Sequence, residues 1–257
     1  MAKPRRGETF ELTIDDLAFG GEGVGRADGY VVFVRGGLPG DRLRVRLTEA
    51  RGRFGRAVIE EVLVAAPDRV DAPCPYFGQC GGCRLQHLAY PAQLAFKEKQ
   101  VRDCLERLGR IGDFELRPIL PAPEPYGYRN KMEFTVAGSS QAPIVGLHEA
   151  DRYDVVLDID SCLLQSPTMN ALLDEVRRQV AGRRLGVYDQ ASEQGLLRFV
   201  TLREGRGTGD AMVNIVAAAP DVEALGPVAE GLRARVPSTA SVVLTVNAKK
   251  AAVAVGT

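Results

Sequence analysis

The chain has 257 residues, 45% hydrophobic and 26% charged, which suits a globular protein of one large domain or two to three small ones. Its 33 basic residues are matched by 33 acidic ones, so no overall field advertises a polyanionic partner. No stretch approaches the roughly 18 uninterrupted apolar residues of a membrane span, and MAKPRRGETF lacks the apolar core of a secretion signal; the expected location is the cytoplasm.

Residues 1–66 read as a small all-β unit. Thr9–Ile14, Tyr30–Val34, Arg42–Thr48 and Arg56–Val64 are rich in strand formers. Leu43-Arg44-Val45-Arg46-Leu47 alternates, so Arg44 and Arg46 share one face. The runs Gly20-Gly21-Glu22-Gly23-Val24-Gly25 and Gly36-Gly37-Leu38-Pro39-Gly40-Asp41 are expected to be turns. The first run does not complete a dinucleotide-binding G-x-G-x-x-G, because position 26 is Arg and no helix pattern follows. Short glycine-punctuated strands predict a barrel of the oligonucleotide-binding kind.

A linker and cysteine loop occupy 67–90, with Cys74, Cys80 and Cys83 among Gly78, Gly81 and Gly82. A helix is predicted over Pro91–Leu108, within a 91–117 segment, and Leu94, Val101, Cys104, Leu105 and Leu108 form its stripe. Cys104 therefore reads as a small core residue. In 118–257, strands at Met132–Val136, Ile144–Leu147, Asp154–Ile159, Leu197–Arg203, Ala211–Ala217 and Ser241–Val246 interleave with two helices. The first starts at Ser166-Pro167 with the stripe Met169, Leu172, Leu173, Val176 and Val180; the second runs from about Asp221 to Arg235. This pattern predicts an α+β sandwich of ferredoxin-like outline.

Five cysteines without a secretion signal argue against a disulfide framework. Three within ten residues point to a soft metal or cluster, with Cys162 the best fourth ligand. The spacing leaves an iron–sulfur cluster, a zinc site in which His87 competes as a ligand, and unligated thiols all open. Between Arg42 and Arg56 there are six arginines against one acid, with Phe54 among them. Arg42, Arg44, Arg46, Arg51, Arg53, Phe54 and Arg56 thus form a candidate single-strand RNA surface, or a plain solvated face. Arg129, Asn130 and Lys131 are a second basic set, alternatively a salt-bridged strand start. His148 reads as a satisfied strand or loop histidine rather than a catalytic one.

Together these pieces resemble the RNA uracil-5-methyltransferase family. Phe19-Gly20-Gly21-Glu22-Gly23-Val24-Gly25-Arg26 and Leu38-Pro39-Gly40-Asp41 look like a TRAM domain, and Cys80-Gly81-Gly82-Cys83, Tyr128-Arg129-Asn130-Lys131 and Asp158-Ile159-Asp160-Ser161-Cys162 match further family stretches. The resemblance implies a [4Fe-4S] cluster on Cys74, Cys80, Cys83 and Cys162, and RNA rather than DNA as partner, leaning towards 23S ribosomal RNA.

Methylating C5 of uracil needs a thiolate that adds at C6, S-adenosylmethionine in line with C5, and a base for the C5 proton. The family carries these on a Rossmann-like domain. The resemblance therefore implies a chain that stops, at Ala254-Val255-Gly256-Thr257, before that domain. Its expected fold class is a TRAM barrel followed by an α+β iron–sulfur domain, with the methyltransferase domain absent. The chain alone would be inactive, the 91–117 helix would pack on a separate methyltransferase domain, and a non-catalytic RNA-binding iron–sulfur or zinc protein is the alternative.

Overall fold

The structure is a computed structural model that describes residues 3–251, 253, 254 and 256; Met1, Ala2, Ala252, Val255 and Thr257 lie outside it, and with them part of the closing segment singled out above. The chain forms two compact units, Met1–Gly78 with Cys83–Pro123 and Gln79–Gly82 with Glu124–Thr257. Among the described residues no helix is long and apolar enough to cross a membrane.

The first unit is a closed five-stranded barrel of β1 (Thr9–Leu17), β2 (Glu22–Ala27), β3 (Tyr30–Arg35), β4 (Arg42–Ala50) and β5 (Phe54–Val64), in the order β1-β2-β3-β5-β4 with β4 returning to β1. Only β3 and β5 are parallel. Leu12, Ile14, Val32, Val34, Leu43, Val45, Leu47 and Ala57 fill the interior. Burial of each large aliphatic side chain contributes about 1.5–3 kcal/mol. Closure pairs every edge, which removes the template for further strand addition.

β2 begins inside the Gly20–Gly25 run expected to be a turn. Gly20 and Gly21 do take positive φ, 98° and 89°, but Gly23 and Gly25 are strand residues. Their lack of a side chain serves close approach: a Cβ on Gly23 would lie 2.5 Å from the Gly37 carbonyl oxygen, and one on Gly25 2.4 Å from that of Thr13. The pattern was misread because glycine signals both a left-handed turn and a crowded barrel wall.

Below the barrel, Asp41 is fully buried. It accepts backbone N–H bonds from Leu38 (2.7 Å) and Ala66 (2.8 Å), and pairs with the Arg69 guanidinium, whose Nη2 also donates to Gly36 O at 2.8 Å. Burial alone would raise its pKa, but the bonds from Arg69, Ala66 and Leu38 outweigh that and hold it below the ordinary value. Leu17, Leu38, Ala66 and Leu88 form a second cluster against which Ala92 and Phe96 of α1 (Tyr90–Asp103) pack.

That contact explains a correction. α1 meets the barrel through Ala92, Phe96, Lys99 and Gln100: Lys99 pairs with Asp16 at 2.7 Å and Gln100 donates to the carbonyl oxygens of Leu17 and Ala18. The leucine stripe is not its core face, and Val101, Cys104 and Leu108 are exposed. Cys104 is therefore not a core residue. It starts a π-helical turn, Cys104–Leu108, closed by Gly109 N–H to Cys104 O at 2.8 Å.

The second unit is a six-stranded sheet, β11-β10-β9-β6-β7-β8, built from β6 (Lys131–Gly138), β7 (Pro143–His148), β8 (Val156–Asp158), β9 (Leu197–Glu204), β10 (Ala211–Ala217) and β11 (Thr239–Val246). It is antiparallel except for β10 with β11. The crossover between those two is α3 (Val222–Arg235), capped by Asp221 on the Ala224 N–H at 3.0 Å. α2 (Pro167–Arg183) starts where the capping pattern put it, with Ser166 Oγ accepting from Met169 N–H at 3.1 Å. Its stripe Met169, Leu172, Leu173, Val176 and Val180 is buried.

β9 is buried on both faces from Leu197 to Leu202, and so encloses Arg198. With no acid beside it among the described residues, Arg198 donates to the carbonyl oxygens of Asn247 (2.7 Å), Lys249 (2.5 Å) and Ala251 (2.8 Å). It also lies 4.2 Å from the Tyr188 ring centroid.

Candidate nucleic-acid interface

The β4 arginines point outward as the alternation requires, but each meets a glutamate from a neighbouring strand. Arg42 pairs with Glu11 of β1 at 3.5 Å, Arg44 with Glu61 of β5, and Arg46 with Glu60 of β5 at 2.8 Å. In the following turn Arg51 pairs with Glu49, and Arg56 bridges Glu22 (3.3 Å) and Glu49 (3.4 Å). The bond from Arg51 keeps Glu49 below its ordinary pKa, and the bond to Glu22 keeps Arg56 above its own. Exposed pairs of this kind stabilise by only about 0–1 kcal/mol, so their importance here is electrostatic cancellation. Arg53 alone of the six has no ion pair or hydrogen bond among the described residues.

Phe54 sits beside a ring that the sequence analysis missed. Phe33 and Phe54 pack edge to face, with centroids 5.7 Å apart at 81°, and the Arg56 guanidinium lies 5.7 Å from the Phe54 centroid. The Tyr30 hydroxyl bonds to the carbonyl oxygens of Arg51 (2.9 Å) and Phe54, pinning the β4–β5 turn. The signal for Phe33 was present in Tyr30-Val31-Val32-Phe33-Val34-Arg35, whose odd positions face outward once Val32 and Val34 are placed in the core.

In the second unit, Arg129, Asn130 and Lys131 enter β6 on a segment held from two sides. Gly127 and Arg129 N–H groups donate to the carbonyl oxygens of Leu163 (2.8 Å) and Leu164 (2.9 Å), Arg206 reaches Gly127 O, and Glu204 N–H donates to Asn130 O at 3.0 Å. Arg129 and Lys131 line an open cleft of about 490 Å³ with Glu133, Leu147, His148 and Gly82. Asn130 lines a second, of about 300 Å³, with Arg203, Glu204 and Ser241. Lys131 and Arg203 are opposite each other across β6 and β9, and neither carries an ion pair among the described residues. His148 Nε2 is 3.1 Å from Thr135 Oγ1, the satisfied histidine expected.

No cysteine is in a disulfide. Cys74 and Cys83 belong to the first unit, Cys80 and Cys162 to the second. Gly82 N–H approaches Cys80 Sγ at 3.4 Å, and Cys162 is held by Asn170 through bonds of 2.9 and 3.1 Å to its backbone. Even so, no group of three or more His, Cys, Asp or Glu side chains among the described residues is arranged to hold a metal ion. His87 belongs to no such group: its Nε2 faces Gly36 O at 3.1 Å, its ring packs on Phe77, and its buried Nδ1 has no hydrogen-bond partner among the described residues.

Residues 3–59 match the TRAM domain family. The whole chain aligns at 36% identity with an uncharacterized RNA methyltransferase of Halalkalibacterium halodurans, covering 56% of it. It aligns over 97% of its length at 39% identity with another of Nitratidesulfovibrio vulgaris, covering 54% of it. In structure it is similar to the Pyrococcus abyssi tRNA (uracil-54, C5)-methyltransferase bound to S-adenosyl-L-homocysteine, with TM-score 0.66 and 25% identity over 96% of this chain and 53% of that one. The chain thus spans about half the length of these relatives.

Two expectations are corrected by these likenesses. The fold class that left the methyltransferase fold out is overturned, since 96% of the chain lies within the fold of a protein named as a methyltransferase. The reading as a non-catalytic RNA-recognition portion, and its non-catalytic alternative, are overturned for the same reason: relatives named RNA methyltransferases align with 100% and 97% of the chain. Both expectations came from treating barrel and sheet as appendages to a methyltransferase. The likeness to a protein so named runs through both.

Proposed function

We propose that this chain, similar along its whole length to RNA methyltransferases, works in the S-adenosylmethionine-dependent methylation of RNA at C5 of uridine. The observation that carries this reading is its superposition, over 96% of its residues, on a tRNA (uracil-54, C5)-methyltransferase. The cofactor supplies the methyl group. This chain's own residues hold RNA: the barrel turn through Arg53 and Phe54, with Arg56 over the Phe54 ring, and the β6 entry through Arg129, Asn130 and Lys131. Unpaired cations beside open clefts suit phosphates, because they need not abandon a glutamate first.

The [4Fe-4S] assignment to Cys74, Cys80, Cys83 and Cys162 belongs to the same reading and rests on spacing and family resemblance. The described side chains do not gather into a metal site. Anaerobic purification followed by iron and acid-labile sulfide analysis tests it; stoichiometric zinc in a colourless preparation sinks it.

The main test incubates the protein with methyl-labelled S-adenosylmethionine and unmodified transcripts of transfer RNA and of ribosomal RNA fragments. The expected result is retained RNA, with label recovered as 5-methyluridine in one transcript class. Failure to retain either transcript class would overturn the reading.

A further inference from the structure

The outside of the barrel has two charged faces of opposite character. On one, Arg42, Arg44 and Arg46 meet Glu11, Glu61 and Glu60, three charges against three. On the other, strand register places Arg26, Val31 and Phe54 in one outward row, and Val24, Phe33 and Arg56 in the next. The Phe33 and Phe54 rings are partly exposed on this second face. Arg26 on β2 and Arg53 at the β4–β5 turn flank them, both exposed, and neither has a hydrogen bond or ion pair among the described residues.

We propose that this second face is the barrel's contact for single-stranded RNA, with bases stacking on Phe33 and Phe54 and phosphates taken by Arg26 and Arg53. The choice of ligand rests on the RNA methyltransferase reading above; the choice of face rests on the geometry.

Three physical points select this face. A stacked base needs a flat apolar surface, and each such stack contributes about 1–3 kcal/mol. The β4 face offers arginines but no ring. A phosphate approaching Arg44 or Arg46 also meets Glu61 or Glu60, so its attraction to the cation is offset by repulsion from the acid. At Arg26 and Arg53 there is no such acid to displace. Finally, Arg53 projects from a turn that Tyr30 already pins through Arg51 and Phe54, so little ordering of the backbone remains when RNA binds.

Arg56 has a different part. Tied to Glu22 and Glu49 and lying over the Phe54 ring, it orients that ring and does not engage phosphate.

The test measures fluorescence anisotropy of a short labelled oligouridylate with the full chain over a salt titration. Phe33→Leu combined with Phe54→Leu keeps apolar bulk but removes the flat rings. It is expected to weaken binding about tenfold or more without changing the salt dependence. Arg26→Ala with Arg53→Ala, both at exposed positions, should flatten the slope of log K against log salt by roughly 1–2. Arg44→Ala with Arg46→Ala should leave affinity and slope close to wild type.

Wild-type binding that survives both the Phe and the Arg26/Arg53 changes overturns this face alone, as does a larger loss from the Arg44/Arg46 pair. An oligouridylate that the wild type does not bind overturns the face together with the RNA reading behind it. Circular dichroism melting of each variant separates a lost contact from a lost fold, and the surface Arg26/Arg53 variant decides the question if the Phe variant melts early.

Discussion

The barrel unit and the sheet unit treat charge in opposite ways. In the barrel nearly every charged group on β4 is paired across strands, and the one fully buried charge, Asp41, is met by a cation, Arg69. In the six-stranded sheet, Lys131 and Arg203 stand unpaired at clefts, and the buried Arg198 of β9 is met by carbonyl oxygens and the Tyr188 ring, while the buried acid of that unit, Glu175 on α2, pairs with Arg178. The lesson is that charge density along a chain does not measure charge available to a ligand. The most basic stretch of sequence folds into a nearly neutral wall.

The sharpest way to break this comparison is Asp41→Ala. It leaves Arg69 without its carboxylate and two backbone N–H groups without an acceptor, and should cost the barrel unit about 3–5 kcal/mol. Urea unfolding followed by hydrogen exchange should show the loss in residues of the barrel, with the sheet protected as before. Equal loss of protection in both units would deny that each is stabilised separately.

Arg198→Ala is the counterpart in the sheet. Removing charge-assisted bonds to four carbonyl oxygens should cost roughly 2–3 kcal/mol. Exchange at Lys249–Ala251 should accelerate most; unchanged exchange there would show that the clamp is idle. Gly25→Ala follows at about 1–3 kcal/mol, because its Cβ would meet the Thr13 carbonyl oxygen and force the wall apart. Thermal melting that does not change would mean β1 and β2 can separate freely.

Acid should also distinguish the units. Burial, with Arg69 nearby, lowers the pKa of His87, so the folded barrel binds its proton less readily than the unfolded chain does. Stability is therefore unaffected above the unfolded value of about 6.5 and declines as pH falls below it. Asp41, also lowered, contributes above the unfolded carboxylate value of about 3.9, and that contribution fades as pH falls through its folded value. Barrel melting should shift down on acidification, and His87→Gln should flatten the response above pH ~5. A response that His87→Gln leaves unaltered would assign the acid sensitivity elsewhere. The smallest effect belongs to Arg46→Ala, whose exposed pair with Glu60 should change stability by less than about 1 kcal/mol. A larger loss would mean that the cross-strand lattice supports the barrel.

Much of the architecture was legible. Alternation located β4 and put Leu43, Val45 and Leu47 inside, and Ser166-Pro167 marked the start of α2 together with its buried stripe. Arg129, Asn130 and Lys131 were singled out, and they do border clefts. The helix at 90–103 was located but its buried side was not, because Lys99 and Gln100 fasten it to the barrel through polar tips that hydrophobic periodicity does not register. Arg198 escaped notice for a related reason: a charged residue in a strand reads as an exposed one until both faces of β9 are seen to be covered.

The amino-acid order alone determined which residues alternate, which helices begin where, and which side chains are basic, because each of those depends on neighbours a few positions away. Tertiary structure decided which of those basic residues remain available. Glu11, Glu60 and Glu61 reach the β4 arginines only through the register of β1 and β5 against β4, and the β4–β5 register is shifted by irregularities at Arg42/Leu43, Arg44/Val45 and Leu47/Glu49. Each irregularity changes which outward side chains meet, so the partner of an arginine is set by barrel closure and not by the residues beside it.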